Sequence, residues 1–124
     1  MIKFALQWSN QGQVHLWTPE HFIGASKEEI SKAIGRGGCG PGKLGDKLVP
    51  DSIWWLDVKP ACKRHDMSWY LAKTYEDFLV SDNMFLCNML RLNDKKSGKL
   101  IRLCRMKAPF GIYHYYEAVA YFGR

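Results

Sequence analysis

His65 and Asp66 stand side by side in the segment Cys62-Lys63-Arg64-His65-Asp66. On a helix, adjacent side chains point about 100° apart, so the imidazole faces one wall of a cavity and the carboxylate another. That arrangement suits a site in which the imidazole acts on water and the carboxylate binds a cation. Upstream, Gly35-Arg36-Gly37-Gly38-Cys39-Gly40-Pro41-Gly42 carries five glycines in eight residues. Such a run forms neither helix nor strand, and its backbone is free to adopt positive φ. Hard cations such as Ca²⁺ take about six to eight oxygen ligands, many from main-chain carbonyls. A loop over residues 38–42 can curl so that alternate carbonyls converge, with Asp66 as a plausible carboxylate. Asp82 is the third piece, set in Val80-Ser81-Asp82-Asn83-Met84 between apolar positions 78, 79, 85 and 86. An isolated His-Asp pair on a helix is also compatible with a purely structural role.

These residues need elements to hold them. Asp57-Val58-Lys59-Pro60 reads as a helix start with proline in the first turn. A helix over residues 59–73 places Ala61, Cys62, His65, Trp69 and Ala72 largely on one side. Thr74-Tyr75-Glu76-Asp77 opens a second helix to about residue 92, with an apolar stripe of Phe78, Leu79, Phe85, Leu86, Met89 and Leu90. If the pair is antiparallel, His65 and Asp82 sit about nine and eight residues from the turn near Thr74, at comparable depth. A carboxylate there can bond one imidazole nitrogen and leave the other as a base.

Elsewhere, residues 2–8 and 13–17 flank Ser9-Asn10-Gln11-Gly12, a hairpin pattern. Ser26-Lys27-Glu28-Glu29 is a capping box, followed by Ile30, Ala33 and Ile34, with Gly35 as the stop. Ser52-Ile53-Trp54-Trp55-Leu56 is an apolar block suited to the core, with docking on a lipid interface as the other reading. Asn93 to Gly98 reads as a polar turn, residues 100–106 as a short basic helix and 109–122 as a tyrosine-rich last helix. The expectation is a single, mainly α domain over residues 1–124 with a small N-terminal β-hairpin.

The composition agrees. Of 124 residues, 47% are hydrophobic, with five Trp, six Tyr and six Phe, enough for a real core and against wholesale disorder. No apolar run approaches the roughly 18 residues of a membrane-spanning helix. A net charge of +6 favours anionic partners: nucleic acid, anionic lipid or acidic substrates. The N-terminus lacks the apolar region and cleavage site of a signal peptide. The protein then stays inside the cell, leaves by another route or has lost a leader. Four cysteines allow three pairings, or stay as thiols in a reducing compartment. His15, His21 and His114 lack acidic or cysteine neighbours and read as structural or exposed. The basic stretch over residues 95–107 reads as a solvated face or as a contact for anionic lipid or nucleic acid.

Together the loop, the His-Asp helix and the later aspartate resemble the secreted phospholipase A2 superfamily. The resemblance covers about residues 35–92. Cys39-Gly40-Pro41-Gly42 is similar to the Cys-Gly-x-Gly core of its calcium loop. Cys62-Lys63-Arg64-His65-Asp66 is similar to its Cys-x-x-His-Asp helix, and Asp82 stands for the aspartate of its second antiparallel helix. The Gly-Pro-Gly form of the loop is similar to phospholipase domains of some viral capsid proteins. Trp54-Trp55, the His-Asp helix and the end from Tyr116 to Gly123 look like small phage and prophage proteins. Two departures stand out. The family carries a tyrosine four residues after the histidine, linked to the later aspartate, where this chain has Trp69 with Tyr70 next, and an indole donates a hydrogen bond but accepts none. Most of the family's cysteines are also missing, and Gly38 stands in the position before the loop cysteine.

The resemblance implies calcium-dependent hydrolysis of the sn-2 ester of phospholipids at a membrane surface. His65 would be the general base and Asp82 its orienting partner. Ca²⁺ would be held by Asp66 and the carbonyls of Gly38, Gly40 and Gly42, with the Gly40 N–H beside the oxyanion. It also implies a Cys39–Cys62 disulfide, with Cys87 and Cys104 as a possible second bridge. An active chain would be secreted or virion-associated, and the leading reading involves no nucleic acid. Two other readings stay open. One is a zinc site from Cys39, Cys62 and His65. The other is a non-catalytic, phospholipase-like interaction protein of phage or prophage origin, binding a protein or nucleic-acid partner and otherwise residing in the host cytoplasm.

Overall fold

The computed structural model describes residues 1–35, 52–96, 98–107 and 111–123. The fold is mainly helical with two small antiparallel hairpins. Strands β1 (Phe4–Ser9) and β2 (Val14–Pro19) pair from Phe4↔Pro19 to Ser9↔Val14. The loop between them closes through Gln13 N–H donating to the Ser9 carbonyl at 2.7 Å. A short 3₁₀ turn (Glu20–Phe22) leads to helix α1 (Lys27–Ile34). Ser26 caps α1 by accepting from Glu29 N–H, and Gly35 ends it at φ 54°, as the sequence predicts.

A second hairpin, β3 (Ser52–Ile53) and β4 (Leu56–Asp57), turns through Trp54 and Trp55. Helix α2 (Lys59–Leu71) follows, with Pro60 in its first turn. Helix α3 (Tyr75–Lys96) is the longest, and α4 (Lys99–Lys107) and α5 (Ile112–Gly123) complete the chain. The contacts His65–Asp82 and Trp69–Phe78 fix α2 and α3 as antiparallel.

The core joins Leu16 of β2, Ile53, Leu56 and Val58, Ala61 and Cys62 of α2, Phe85, Met89 and Leu92 of α3, and Ile112, Tyr115 and Val119 of α5. Helix α2 buries Met67 and Ser68 as well as the expected Ala61, Cys62 and His65. Helix α3 departs more from its apolar stripe. Leu79 is exposed, while Asp77, Ser81, Asp82, Asn88 and Asn93 are buried. The buried face of α3 is therefore half polar, and each such group finds a partner: no buried side-chain nitrogen or oxygen among the described residues lacks one.

Three expectations are corrected. The polar stretch after Leu92 is no turn, because α3 runs on through Lys96. Asn93 is buried there and donates to the Arg102 carbonyl at 3.1 Å, which holds α4 against the helix end. The Trp54–Trp55 block is not core: Trp55 is 91% exposed. Finally, Cys87 and Cys104 are both free, so no second bridge joins them. The glycine run with Gly38, Cys39, Gly40, Pro41 and Gly42 lies outside the described residues, as does the Cys39 side of the expected Cys39–Cys62 pair.

Candidate active site

Helix α2 carries His65 on the side facing α3, and α3 returns Asp82 to the same level. His65 Nε2 and Asp82 Oδ1 are 2.7 Å apart. Both side chains are buried, at 7% and 0% exposure. Trp69, one turn beyond His65, donates its indole N–H to the same Asp82 Oδ1 at 3.1 Å. The ring of His65 stacks on Phe85, one turn after Asp82 (centroids 4.6 Å, planes at 28°), and tilts against Trp69 at 5.4 Å. Two aromatic faces and a carboxylate thus fix the imidazole plane.

The local sequence explains this placement. His65 and Trp69 are one turn apart on α2, and Asp82 and Phe85 three apart on α3, so each pair shares a face. The turn between the helices is held by a reciprocal cap. Asp77 N–H donates to Thr74 Oγ1 at 3.1 Å, and the Asp77 carboxylate accepts from Lys73 N–H at 3.1 Å and Thr74 N–H at 3.3 Å. These backbone donors, Lys73 foremost, hold the Asp77 carboxyl below the usual carboxylate range against an opposing push from burial. Below His65, Arg64 bonds Thr18 Oγ1 at 2.9 Å and the Pro60 carbonyl at 3.0 Å. Partial burial lowers its pKa from the ordinary guanidinium value.

A carboxylate accepts only, so the proton in the His65–Asp82 bond sits on Nε2 when the ring is neutral. Nδ1 is then the basic nitrogen. His65 as a whole keeps 7% of its surface exposed. Asp66, the next residue on α2, is half-buried. Among the described residues no group of three His, Cys, Asp or Glu side chains stands together to hold a metal. The resemblance expects a calcium ion held by Asp66 together with main-chain oxygens, a donor set that suits a hard cation. Gly38, Gly40 and Gly42, the residues expected to give those oxygens, lie outside the described residues, as does Cys39 of the zinc reading.

A cavity of about 390 Å³, lined in part by Lys3, Glu20, Lys73 and Asp77, lies by the chain start and the α2–α3 turn. It is open and of mixed charge, and neither His65 nor Asp82 lines it. His15, His21 and His114 are exposed.

Sequence reasoning paired His65 with Asp82 and set Trp69 at the position of the family's aspartate-linked tyrosine, where its indole donates to Asp82. Trp69 stands at helical spacing from His65, which is the signal that was available. Compared with family models, curated proteins and solved structures, the chain matches none.

Proposed function

We propose that this protein is a calcium-dependent, phospholipase A2-like hydrolase of the sn-2 ester of phospholipids. The observation that supports this reading most is the 2.7 Å bond from His65 Nε2 to Asp82 Oδ1 across the antiparallel α2–α3 pair. It leaves Nδ1 as a base whose tautomer and plane are set in advance.

In this mechanism Nδ1 takes a proton from a water molecule as the water oxygen bonds to the ester carbonyl carbon. Asp82 stabilises the imidazolium that forms. The tetrahedral species then expels the lysophospholipid alkoxide, which takes the proton back from Nδ1. Calcium bound by Asp66 and the carbonyls of Gly38, Gly40 and Gly42 would supply positive charge for the lipid phosphate and for the oxyanion. The Gly40 N–H would donate to that oxyanion as well. No covalent enzyme intermediate is required.

The test is fatty-acid release from phospholipid vesicles. Release is expected with calcium, and is lost with a chelator and in His65→Gln. Release that survives chelation removes calcium from the mechanism; release that survives His65→Gln removes the dyad. The near-complete burial of the dyad also suits a second reading, an interaction protein that keeps the pair as a structural tie. Calorimetry separates the two: no heat on adding millimolar calcium, together with no hydrolysis, favours the second.

A further inference from the structure

Strand β1 keeps one edge open. Glu20 N–H donates to the Lys3 carbonyl at 2.9 Å and Gln13 N–H to the Ser9 carbonyl at 2.7 Å, so Lys3 and Ser9 turn their backbone groups toward the other arm of the hairpin. Backbone groups alternate along a paired strand. Ala5 and Gln7 therefore face β2 as well, while the N–H and C=O groups of Phe4, Leu6 and Trp8 point out of the sheet. Among the described residues nothing bonds those outward groups. The outer edge of β2 is different, because Asn88 and Arg91 of α3 cover it.

Edge strands are normally blunted by charge, proline, a bulge or a cover. Strand β1 reads Phe-Ala-Leu-Gln-Trp-Ser, with no charge and no proline, and its register with β2 has no bulge. Among the described elements it packs chiefly on β2. Leu6 and Trp8 are 43% and 46% exposed and lie on the sheet face away from buried Leu16. The β3–β4 hairpin offers no rival edge. Its strands are two residues long, and Arg105 clamps the Trp54 carbonyl at its tip, with Nε at 2.9 Å.

We propose that β1 pairs with β1 of a second copy of the chain, antiparallel about a two-fold axis at Leu6, joining the two hairpins into one four-stranded sheet. The strand is self-matching in that register. Leu6 lies opposite Leu6 of the second copy, and Phe4 lies opposite its Trp8. Every outward backbone group is then used, each pair exchanging both of its N–H···O bonds. The facing side chains fall on one side of the sheet, where Phe4 against Trp8 is a favourable cross-strand pair. Charge allows the approach. Each chain carries +6, but the strands meet along a neutral strip, and Lys3 falls opposite Ser9 rather than another cation. Since α3 closes the β2 edge, each of these hairpins has one free edge, and the pairing stops at two copies instead of running on as a fibre. A strand pair of this length covers less than the roughly 1,200 Å² of a standard interface, so the dimer is weak and concentration-dependent. None of this rests on His65 or Asp82, and it holds with or without catalysis.

The experiment is sedimentation equilibrium of the full chain up to about 1 mM, with a reductant present because Cys87 is exposed, alongside amide hydrogen exchange at low and high concentration. The mass should rise from one copy toward two. The amides of Phe4, Leu6 and Trp8 should gain protection as it does, while those of Ala5 and Gln7, already bonded to β2, should not change. The Leu6 N–H points outward, so Leu6→Pro spares the ladder within the hairpin but removes both bonds at the axis. It should weaken association about thirtyfold. Leu6→Lys sets like charges opposite each other and should weaken it too, less so at high salt. Unchanged melting of the dilute Leu6→Lys chain separates lost pairing from lost folding. The pairing is overturned by a parent chain that stays monomeric throughout, or by a dimer that persists in both variants. It is equally overturned by a dimer whose Phe4, Leu6 and Trp8 amides stay unprotected. A monomer in which an added extended peptide of alternating valine and threonine protects those amides also overturns it, in favour of a foreign strand.

Discussion

Asp82 Oδ1 receives two donors, the imidazole Nε2 and the indole Nε1 of Trp69, at 2.7 and 3.1 Å. An indole cannot accept, and at this position it has no need to, because a carboxylate asks only for donors. The tryptophan that stands where the resembling family has a tyrosine therefore still tethers the aspartate. Trp69→Phe removes one donor to a fully buried carboxylate and should cost about 2 kcal/mol in thermal or denaturant unfolding. Asp82→Asn keeps an acceptor oxygen and the volume, so the chain should stay folded. Its amide no longer stabilises an imidazolium, and under the proposed function the rate of lipid hydrolysis should fall roughly a hundred- to ten-thousand-fold. An Asp82→Asn chain that hydrolyses at the parent rate would show that the bond is structural. At this scale His65 and Asp82 were legible because helix periodicity converts their spacing into depth along a pair of helices. The tie from Trp69 was legible only through the resemblance, which places an aspartate-linked tyrosine there; spacing alone does not say that both donors take the same oxygen.

The elements divide by how local their causes are. Ser26, Gly35 and Pro60 are short-range signals, and α1 and α2 begin or end where those residues place them. Helix α3 outran its expected end because Asn93 is satisfied by Arg102 of α4, a tertiary partner invisible to a local polar pattern. The Trp54–Trp55 block was misread for a related reason. Apolar runs usually pack inward, and nothing local announces an Arg105 clamp from some 50 residues downstream. Two predictions belong here. The Asp77 carboxyl caps the α2–α3 turn, and its pKa lies below the ordinary 3.8. Its stabilising contribution is thus complete above about pH 4 and is lost as pH falls through the lower folded-state value. Asp77→Ala should lower the melting temperature at neutral pH and flatten the acid limb of a stability–pH curve. An unchanged acid limb would mean the cap does not hold the turn. In the first hairpin, a Cβ on Gly12 would come within 2.6 Å of Leu92 Cδ2. Leu92 is buried, so Gly12→Ala should cost about 1–3 kcal/mol, seen as a lower urea midpoint at unchanged slope.

What joins the N-terminal hairpin to the helices is a pair of polar side chains on α3. In β2 the backbone groups of His15 and Trp17 point away from β1, along the strand's outer edge. Asn88 meets both groups of Trp17, accepting from its N–H at 2.7 Å and donating to its carbonyl at 2.9 Å. Arg91, three residues on, donates to the His15 carbonyl at 2.7 Å. Helix α3 thus stands where a third strand would, and the edge is closed to other chains. The same helix carries Asp82 on its inner face, so the hairpin braces the element that orients His65. Asn88→Ala would strand two backbone groups and should cost about 2–4 kcal/mol, allowing for some water at half-buried Trp17. Asn88→Asp should hurt as well, because the carboxylate accepts from Trp17 N–H but repels its carbonyl. Hydrogen exchange is the sensitive readout. In Asn88→Ala the Trp17 amide should lose protection well before the amides of α2 and the middle of α3. Uniform loss across the chain would instead mean that hairpin and helices unfold as one unit, with Asn88 contributing only to their common stability.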